Sequence, residues 1–258
     1  TPLYSSAASD GYKRQTLQAA KDSIPFHKSD RTLAFLPWAH IFGQICEVHG
    51  VMMFGFSAAM NENLAKLVDE LGQVRPTLLF AVPRVYNRIY EKLHLQIHNK
   101  SPKLYSLFQY GLTCSAKRRH GEKVSLKEAL AFKLCDKLFF SKVRARLGNR
   151  LRMAYSGGSA LNPAVIEFVQ NIGVTLLEAY GLTEAIVSAN SPDFQKTGAV
   201  GKPLPGVRVE IDRSVNTSNK QDGEIIIHGA TMMLGYYNLP EESASVSTPE
   251  GGFRTGDI

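Results

Sequence analysis

Two periods of apolar residues alternate along the chain from about residue 30 to residue 190. Four short apolar runs closed by proline or glycine predict buried strands, at 32–37, 77–82, 151–158 and 173–180. Between them, apolar residues that recur every three or four positions predict helices, at 63–74, 84–97, 125–147 and 162–172. Strands that alternate with helices predict an α/β fold, a parallel sheet layered with helices.

Local start signals support two of these helices. Ser125 and Glu128 have the spacing of a capping box, and Asn162 followed by Pro163 has the pattern of a cap and a first helical turn. The longest apolar stretch, residues 45–60, contains Glu47 and His49 and is shorter than a membrane span. We therefore predict that this stretch is a buried helix.

The pattern changes after about residue 190. Residues 198–211 and 222–229 are strand-like, and glycines and prolines separate them. We therefore predict an α/β part over residues 1–190, followed by a smaller β-rich subdomain over 191–258.

The charged residues are unevenly distributed along the chain, and one segment is strongly basic. Of the 30 Lys/Arg and 23 Asp/Glu in the chain, residues 100–152 hold 14 Lys/Arg against three Asp/Glu. No stacking-aromatic motif accompanies this charge, so we expect no nucleic acid partner. Peripheral contact with an anionic membrane and an ordinary solvated helical face remain as the two interpretations. Three widely spaced cysteines predict free thiols in a reducing compartment, hence a cytoplasmic protein.

Four short segments could carry chemistry, and each also has a structural interpretation. YSGGSAL (155–161) and EAYGLTEA (178–185) follow predicted strands, where open α/β sheets bind ligands. The structural alternative for YSGGSAL is a tight turn. For EAYGLTEA it is a tyrosine in the core and a solvated carboxylate. FRTGDI (253–258) offers a carboxylate that could bind ribose hydroxyls or belong to a turn. LPWAHIFG (36–43) offers a histidine that could face a substrate or be structural.

In chain order these segments are LPWAHIFG, YSGGSAL, EAYGLTEA, then GEIIIHG with GYYNLPEES, and last FRTGDI. Together, in that order, they resemble the adenylate-forming (AMP-binding) superfamily. VPRVYNRIYEKL (82–93) and residues 132–158 look like its long-chain fatty acyl-CoA synthetase branch. The resemblance covers about residues 30–258, and residues 1–30 match poorly.

The resemblance implies a ligase that joins a fatty acid to ATP as an acyl-adenylate and then transfers the acyl group to coenzyme A. It implies an adenine pocket lined by Gly157, Gly158, Ser159, Glu178, Ala179, Tyr180 and Gly181, with the Tyr180 ring stacked on the base. Thr183 would contact phosphate oxygens, Glu184 would hold Mg²⁺, and these two would be the catalytic pair. Asp257 would bind the ribose hydroxyls. An acyl site would lie near Trp38, His40 and Gly43.

Two departures from the family pattern limit this expectation. The segment in the place of the glycine-rich phosphate loop, YSSAASDGYK (4–13), lacks most of the glycines. The chain also stops after Asp257, before the carboxyl-terminal lid domain that carries the family's adenylation lysine. We expect a central fragment of a larger ligase that is inactive by itself. A non-catalytic nucleotide- or acyl-binding protein and another acyl- or aryl-adenylating enzyme are the alternatives, and acyl chain length and oligomeric state stay open.

Overall fold

The computed structural model describes residues 9–215, 219 and 221–258, with residues 9–11 as backbone only. Of the predicted degenerate phosphate loop at 4–13, residues 4–8 therefore lie outside the described residues. Its last residues, 9–13, begin helix α1, Ser9–Ser23.

Seven strands of the described residues form one sheet in the order β2-β1-β3-β4-β5-β6-β7. They are β1 Arg31–Ala34, β2 Ser57–Met60, β3 Leu78–Ala81, β4 Met153–Ser156, β5 Leu176–Gly181, β6 Ile186–Ala189 and β7 Lys202–Pro203. Strands β1 to β5 pair in parallel, and β6 and β7 add antiparallel edges. The predicted α/β fold with a parallel sheet is confirmed.

Helices cover both faces of this sheet. After α1 they are α2 Ile41–Gly43, α3 Gly50–Phe54, α4 Leu67–Val74, α5 Pro83–Lys100, α6 Pro102–Arg119, α7 Leu126–Cys135, α8 Ser141–Arg146, α9 Pro163–Asn171 and α10 Pro240–Ser245. A π-helical turn, Gln44–His49, joins α2 to α3, and another, Asp136–Phe140, joins α7 to α8. The capping box at Ser125 and Glu128 and the Asn162 cap are both present.

The central strands are apolar on both sides because both faces are covered. In β3, Leu79 and Ala81 pack in the core under α4 to α9. Leu78 and Phe80 point to the other face, where they pack with residues of α1 and of the helical segment 41–54. The first core supports the sheet, and the second surrounds the cavity described below.

Two sequence-based predictions need correction, and one helix was missed. The apolar stretch 45–60 is not one buried helix, because the helix ends at Gly55, whose φ is +73°, and Ser57–Met60 forms β2. The predicted helix 125–147 contains the π-helical turn and is not one regular helix. Helix α6 was not predicted, because small residues such as Gly111, Cys114 and Ser115 share its buried face with Phe108 and weaken the apolar period.

The carboxyl-terminal part contains a second, antiparallel sheet in the order β10-β9-β8. Its strands are β8 Val207–Asp212, β9 Glu224–Gly229 and β10 Phe253–Arg254. The Arg254 guanidinium lies 2.6 Å from the Glu224 carboxylate and 3.0 Å from the Asp212 carboxylate, one on each of the other two strands. This part is β-rich, as predicted. The division at residue 190 stays a prediction, and β7, which lies beyond it, pairs with the large sheet.

One buried carboxylate joins the amino ends of the parallel strands. Asp30 accepts hydrogen bonds from the His27 backbone N–H (2.8 Å), the Thr77 hydroxyl (2.7 Å) and Nε of Arg152 (2.8 Å). A second nitrogen of Arg152 also contacts this carboxylate. Burial alone would raise the pKa of Asp30, but the bonds from Arg152, Thr77 and His27 hold that pKa below its ordinary value.

We predict that Asp30→Asn lowers the free energy of unfolding by about 2–4 kcal/mol at neutral pH, because Arg152 loses its buried counterion. The folded-state pKa of Asp30 is lowered, so its contribution is present above pH 3.8 and is lost as the pH falls through the folded-state value. Urea unfolding at pH 7 and at pH 3 measures both effects. Glu62→Gln breaks the exposed Lys66–Glu62 pair and is the control, with little change expected. An Asp30→Asn variant as stable as the wild type would contradict the assignment.

Candidate functional site

The segment YSGGSAL forms the turn after β4, at the carboxyl edge of the parallel sheet. Gly158 has a φ of +87°, which favours glycine, and a Cβ added there would meet open space. A Cβ on Gly157 would lie 3.2 Å from the Phe42 ring. The turn therefore presents bare backbone beside an aromatic ring, with Ser159 exposed next to it.

Glu178, on β5, holds this turn in place from below. Its buried carboxylate accepts a hydrogen bond from the Leu161 N–H at 3.3 Å. Burial raises the pKa of Glu178, and backbone hydrogen bonds from Leu161 and Gly198 oppose that rise. The Glu178 side chain therefore binds the backbone of the turn. The neighbouring Ala179 pairs with Ala189 of β6 in the sheet.

Tyr180 and Asp257, which are 77 positions apart, are in direct contact. The Tyr180 hydroxyl donates a hydrogen bond of 2.5 Å to the Asp257 carboxylate. Burial, and next the hydrogen bond to Asp257, raise the pKa of Tyr180. On the other side of Asp257, its carbonyl oxygen accepts from the Ile225 N–H at 2.9 Å. The second sheet thus positions Asp257 next to the carboxyl end of β5.

A register shift between Tyr180 and Gly181 then turns the chain into the antiparallel strand β6. A Cβ on Gly181 would lie 2.9 Å from the Ile186 side chain and 3.1 Å from the Ala185 carbonyl oxygen. Gly181 therefore allows the tight turn that carries Thr183 and Glu184.

Two tyrosines that the sequence analysis did not single out fix that turn. The Tyr12 hydroxyl donates to the Thr183 carbonyl oxygen at 2.6 Å, and the Tyr236 hydroxyl donates to the buried Glu184 carboxylate at 3.0 Å. Burial, and next the charge of Glu184, raise the pKa of both tyrosines to about 12. Tyr236 lies in the motif GYYNLPEES, so its motif was visible in the sequence. Tyr12 had no such signal.

The Glu184 carboxylate suits a divalent cation that takes most of its ligands from outside the protein. Among the described residues there is no group of three His, Cys, Asp or Glu side chains that could hold a metal ion. Mg²⁺ is commonly held by one or two carboxylates together with phosphate oxygens and water. One buried carboxylate with neutral donors beside it fits that type of site and does not fit a metal site made of protein ligands alone.

The segment LPWAHIFG is organised by Glu47, which sequence reasoning noted only as a charge in an apolar run. The buried Glu47 carboxylate accepts from the backbone N–H groups of Phe35 (3.2 Å) and Leu36 (3.2 Å) and from Nε1 of Trp38 (3.1 Å). Burial raises the pKa of Glu47 to about 7 against the effect of these hydrogen bonds. The side chain of His40 accepts from the Phe42 N–H and caps α2.

Beneath this segment lies an apolar cavity of about 80 Å³ between the sheet and the helices α1 and 41–54. Leu17, Ala20, Phe42, Phe54, Phe80 and Tyr155 are among its lining residues. Trp38, His40 and Gly43 do not line it, although Phe42, which lies between His40 and Gly43, does. A Cβ on Gly43 would lie 2.8 Å from the Pro37 carbonyl oxygen. Glycine at this position therefore allows the backbone of α2 to pack closely against Pro37.

The predicted site residues thus form two groups in the structure. Gly157 to Ser159, Tyr180, Asp257, Thr183 and Glu184 lie on the turns that follow β4 and β5 or contact them. Trp38 and His40 lie on the segment between β1 and α2, and Gly43 ends α2. Phe42, also in α2, links this group to Gly157. Their predicted roles toward nucleotide and acyl group stay predictions.

Comparisons with known proteins show the family of the chain. The family model described as "AMP-binding enzyme" matches residues 9–237. The chain is 32% identical over 245 residues to the peroxisomal long chain acyl-CoA synthetase 7 of Arabidopsis thaliana, which covers 90% of the chain and 34% of that relative. It is 30% identical over 242 residues to the long-chain-fatty-acid–CoA ligase FadD15 of Mycobacterium tuberculosis, over 90% of the chain and 37% of the relative. The chain therefore spans about a third of the length of these relatives.

Solved structures give the same fold. A malonyl-CoA ligase in a ternary product complex with methylmalonyl-CoA and AMP matches with a TM-score of 0.65 and 25% identity, over 95% of this chain and 45% of that one. ATP-bound MatB from Rhodopseudomonas palustris matches with a TM-score of 0.66 and 22% identity, over 96% and 41%.

We predict that Glu47 controls the environment of Trp38, which is the sole tryptophan of the chain. Its fluorescence should change with a midpoint near pH 7 as Glu47 gains a proton and loses an acceptor position. Glu47→Gln should abolish this change, and Glu91→Gln, at an exposed position of α5, is the matched control. The neighbouring Cys46 stays neutral because burial raises its thiol pKa.

The same titration should affect stability. The folded-state pKa of Glu47 is raised, so the folded protein binds the proton more tightly than the unfolded chain. The free energy of unfolding should therefore fall as the pH rises from about 4.5 to about 7, and this fall should be missing in Glu47→Gln. An unchanged fluorescence titration in Glu47→Gln would contradict the assignment to Glu47.

Proposed function

Because the chain belongs to the AMP-binding enzyme family, we propose that its site serves a long-chain fatty acid–CoA ligase that uses ATP and releases AMP. The contact between Tyr180 and Asp257 carries this proposal. It joins an aromatic ring and a carboxylate from two distant motifs at the carboxyl edge of the sheet. The names of the relatives, long-chain acyl-CoA synthetases and fatty-acid–CoA ligases, support the choice of substrate.

The nucleotide would lie across the turns after β4 and β5. The bare backbone of Gly157 and Gly158, with Ser159, would face the adenine, and the Tyr180 ring would stack on it. Asp257 would accept hydrogen bonds from the ribose hydroxyls in place of the one from Tyr180. Glu178, Ala179 and Gly181 would keep the pocket in shape through the contacts described above.

The phosphates would lie next to Thr183 and Glu184. The Thr183 hydroxyl would donate to a phosphate oxygen, and the buried Glu184 carboxylate would hold Mg²⁺, which neutralises phosphate charge when bound. Tyr12 and Tyr236 would keep these two residues oriented through their hydrogen bonds. Such fixed groups act by positioning and by charge, which suits a reaction without a covalent enzyme intermediate.

The reaction proceeds in two displacements. A carboxylate oxygen of the fatty acid attacks the α-phosphorus of ATP, a new P–O bond forms, and the bond to pyrophosphate breaks. The thiolate of coenzyme A then attacks the acyl carbonyl carbon, a C–S bond forms, and AMP leaves with the electron pair of the broken C–O bond. The thiol proton is released to solvent.

The acyl chain would enter the apolar cavity beside Phe42. This cavity of about 80 Å³ is smaller than the roughly 300–1,000 Å³ of whole-ligand pockets. It would therefore take only part of a long chain in this conformation, and Trp38 and His40 would stand near the carboxyl end. The free cysteines Cys46, Cys114 and Cys135 support a reducing, cytoplasmic setting.

We predict that Asp257→Ala weakens AMP binding about 10- to 100-fold, since a carboxylate bonded to two hydroxyls is lost. Tyr180→Ala should weaken it to a similar degree by removing the stacking ring, whereas Tyr180→Phe should retain most of the affinity. Isothermal titration with AMP measures these effects. Tyr237→Ala removes a neighbouring exposed tyrosine and should bind as the wild type does. Equal affinity in all four variants would contradict the nucleotide site.

We predict that Ala20→Leu, which adds volume inside the cavity, weakens a non-hydrolysable hexadecanoyl-adenylate mimic at least about tenfold but leaves AMP binding unchanged. Ala65→Leu, at an exposed position, is the control. Comparison of acetyl, benzoyl and hexadecanoyl mimics tests the substrate class. A wild-type preference for the benzoyl or acetyl mimic would favour another acyl- or aryl-adenylating enzyme.

A further inference from the structure

Helix α7 presents an apolar stripe to solvent. Leu126, Leu130 and Leu134 are spaced by four residues and therefore lie on one face of the helix. They are 91%, 70% and 45% exposed, so none of them belongs to a core. Single exposed leucines are ordinary on protein surfaces, but an aligned row of three marks an interaction surface.

The opposite side of α7 explains why the stripe faces outward. Cys135 is buried, and its thiol donates to the Leu107 carbonyl oxygen on α6 at 3.1 Å. Gly111 makes this approach possible, since a Cβ there would lie 2.4 Å from Cys135 Sγ. Phe132 also faces α6, where Arg118 lies 4.5 Å above its ring. This packing fixes the rotation of α7.

Lysines border the stripe on both sides. At 100° per residue, Lys127 lies just beyond one edge of the leucine row and Lys133 just beyond the other. Lys123, Lys137 and Lys142 are exposed nearby in sequence. In the described part of the chain, Lys117 pairs with Glu128 and Arg144 pairs with Asp136, so two of the three acidic residues of 100–152 are already neutralised.

We propose that this surface, the leucine stripe of α7 with its flanking lysines, docks the protein on an anionic phospholipid membrane. Leucines reach the acyl boundary while lysine stems keep their ammonium groups at the level of the headgroups. A second copy of the chain fits less well, because it would bring the same positive surface against this one. Of the helices among the described residues, none has the length and apolar composition that crossing a bilayer requires.

Flotation with vesicles tests the proposal. The chain should bind vesicles of equal parts phosphatidylglycerol and phosphatidylcholine, bind pure phosphatidylcholine far less, and detach as salt is raised from about 50 mM to about 500 mM. Leu126→Gln/Leu130→Gln/Leu134→Gln should lower the partition coefficient at least about tenfold, because the apolar contribution is lost. Glutamine keeps helix propensity, and far-UV circular dichroism checks the fold.

A matched variant separates the stripe from general apolar exposure. Leu64→Gln/Leu95→Gln/Leu234→Gln removes three exposed leucines elsewhere and should bind as the wild type does. In a Trp38→Phe background, Leu130→Trp should shift its emission to shorter wavelength on anionic vesicles and be quenched by brominated lipid. Leu95→Trp in the same background should do neither.

Three results would overturn the proposal. The first is equal binding of the two leucine variants, and the second is equal binding to anionic and neutral vesicles. The third is concentration-dependent self-association in sedimentation velocity that Leu126→Gln/Leu130→Gln/Leu134→Gln abolishes, which would assign the stripe to a second copy. None of these measurements depends on the proposed ligase activity.

Discussion

The hydrogen bonds to Asp30 tie together the amino ends of the parallel strands. Arg152 comes from the residue before β4, Thr77 from the residue before β3, and Asp30 itself precedes β1. Fixing one end of parallel strands fixes the other, because their register runs along the whole ladder. The turns that carry Gly157 and Glu184, and Tyr180 near the end of β5, lie at that other end. The Asp30–Arg152 ion pair, far from the candidate chemistry, therefore fixes the register of three of the strands that lead to the site.

The candidate site is also a junction between two sheets. Arg254 connects the three strands of the small sheet, and Asp257 follows it by three residues. Asp257 then reaches Tyr180 on the last parallel strand of the large sheet. Neither sheet alone would supply all the proposed nucleotide contacts. The proposed ribose contact comes from the small sheet, and the proposed adenine and phosphate contacts come from the large one.

Much of the fold could be predicted from the sequence because its signals are local. The capping box at Ser125 and the buried runs of β3 and β4 are short-range patterns, and both were found. The function of Glu47 depends on a π-helical turn and on backbone groups eleven or twelve residues away, which no periodicity reveals. The leucines of α7 show the opposite limit. Their spacing is typical of a buried face, and the packing of Cys135 and Phe132 against α6 turns them to solvent.

The π-helical turn Gln44–His49 constrains the length of its segment more than its composition. Upstream, Gly43 is pressed against the Pro37 carbonyl oxygen, and downstream, Phe54 lines the cavity. With both ends held, loss of one residue would rotate the second half by about 100° and carry Phe54 off the cavity wall. Related chains should therefore vary in residue identity here while keeping the same number of residues. An insertion or deletion within 44–49 would mark a chain with a differently shaped cavity.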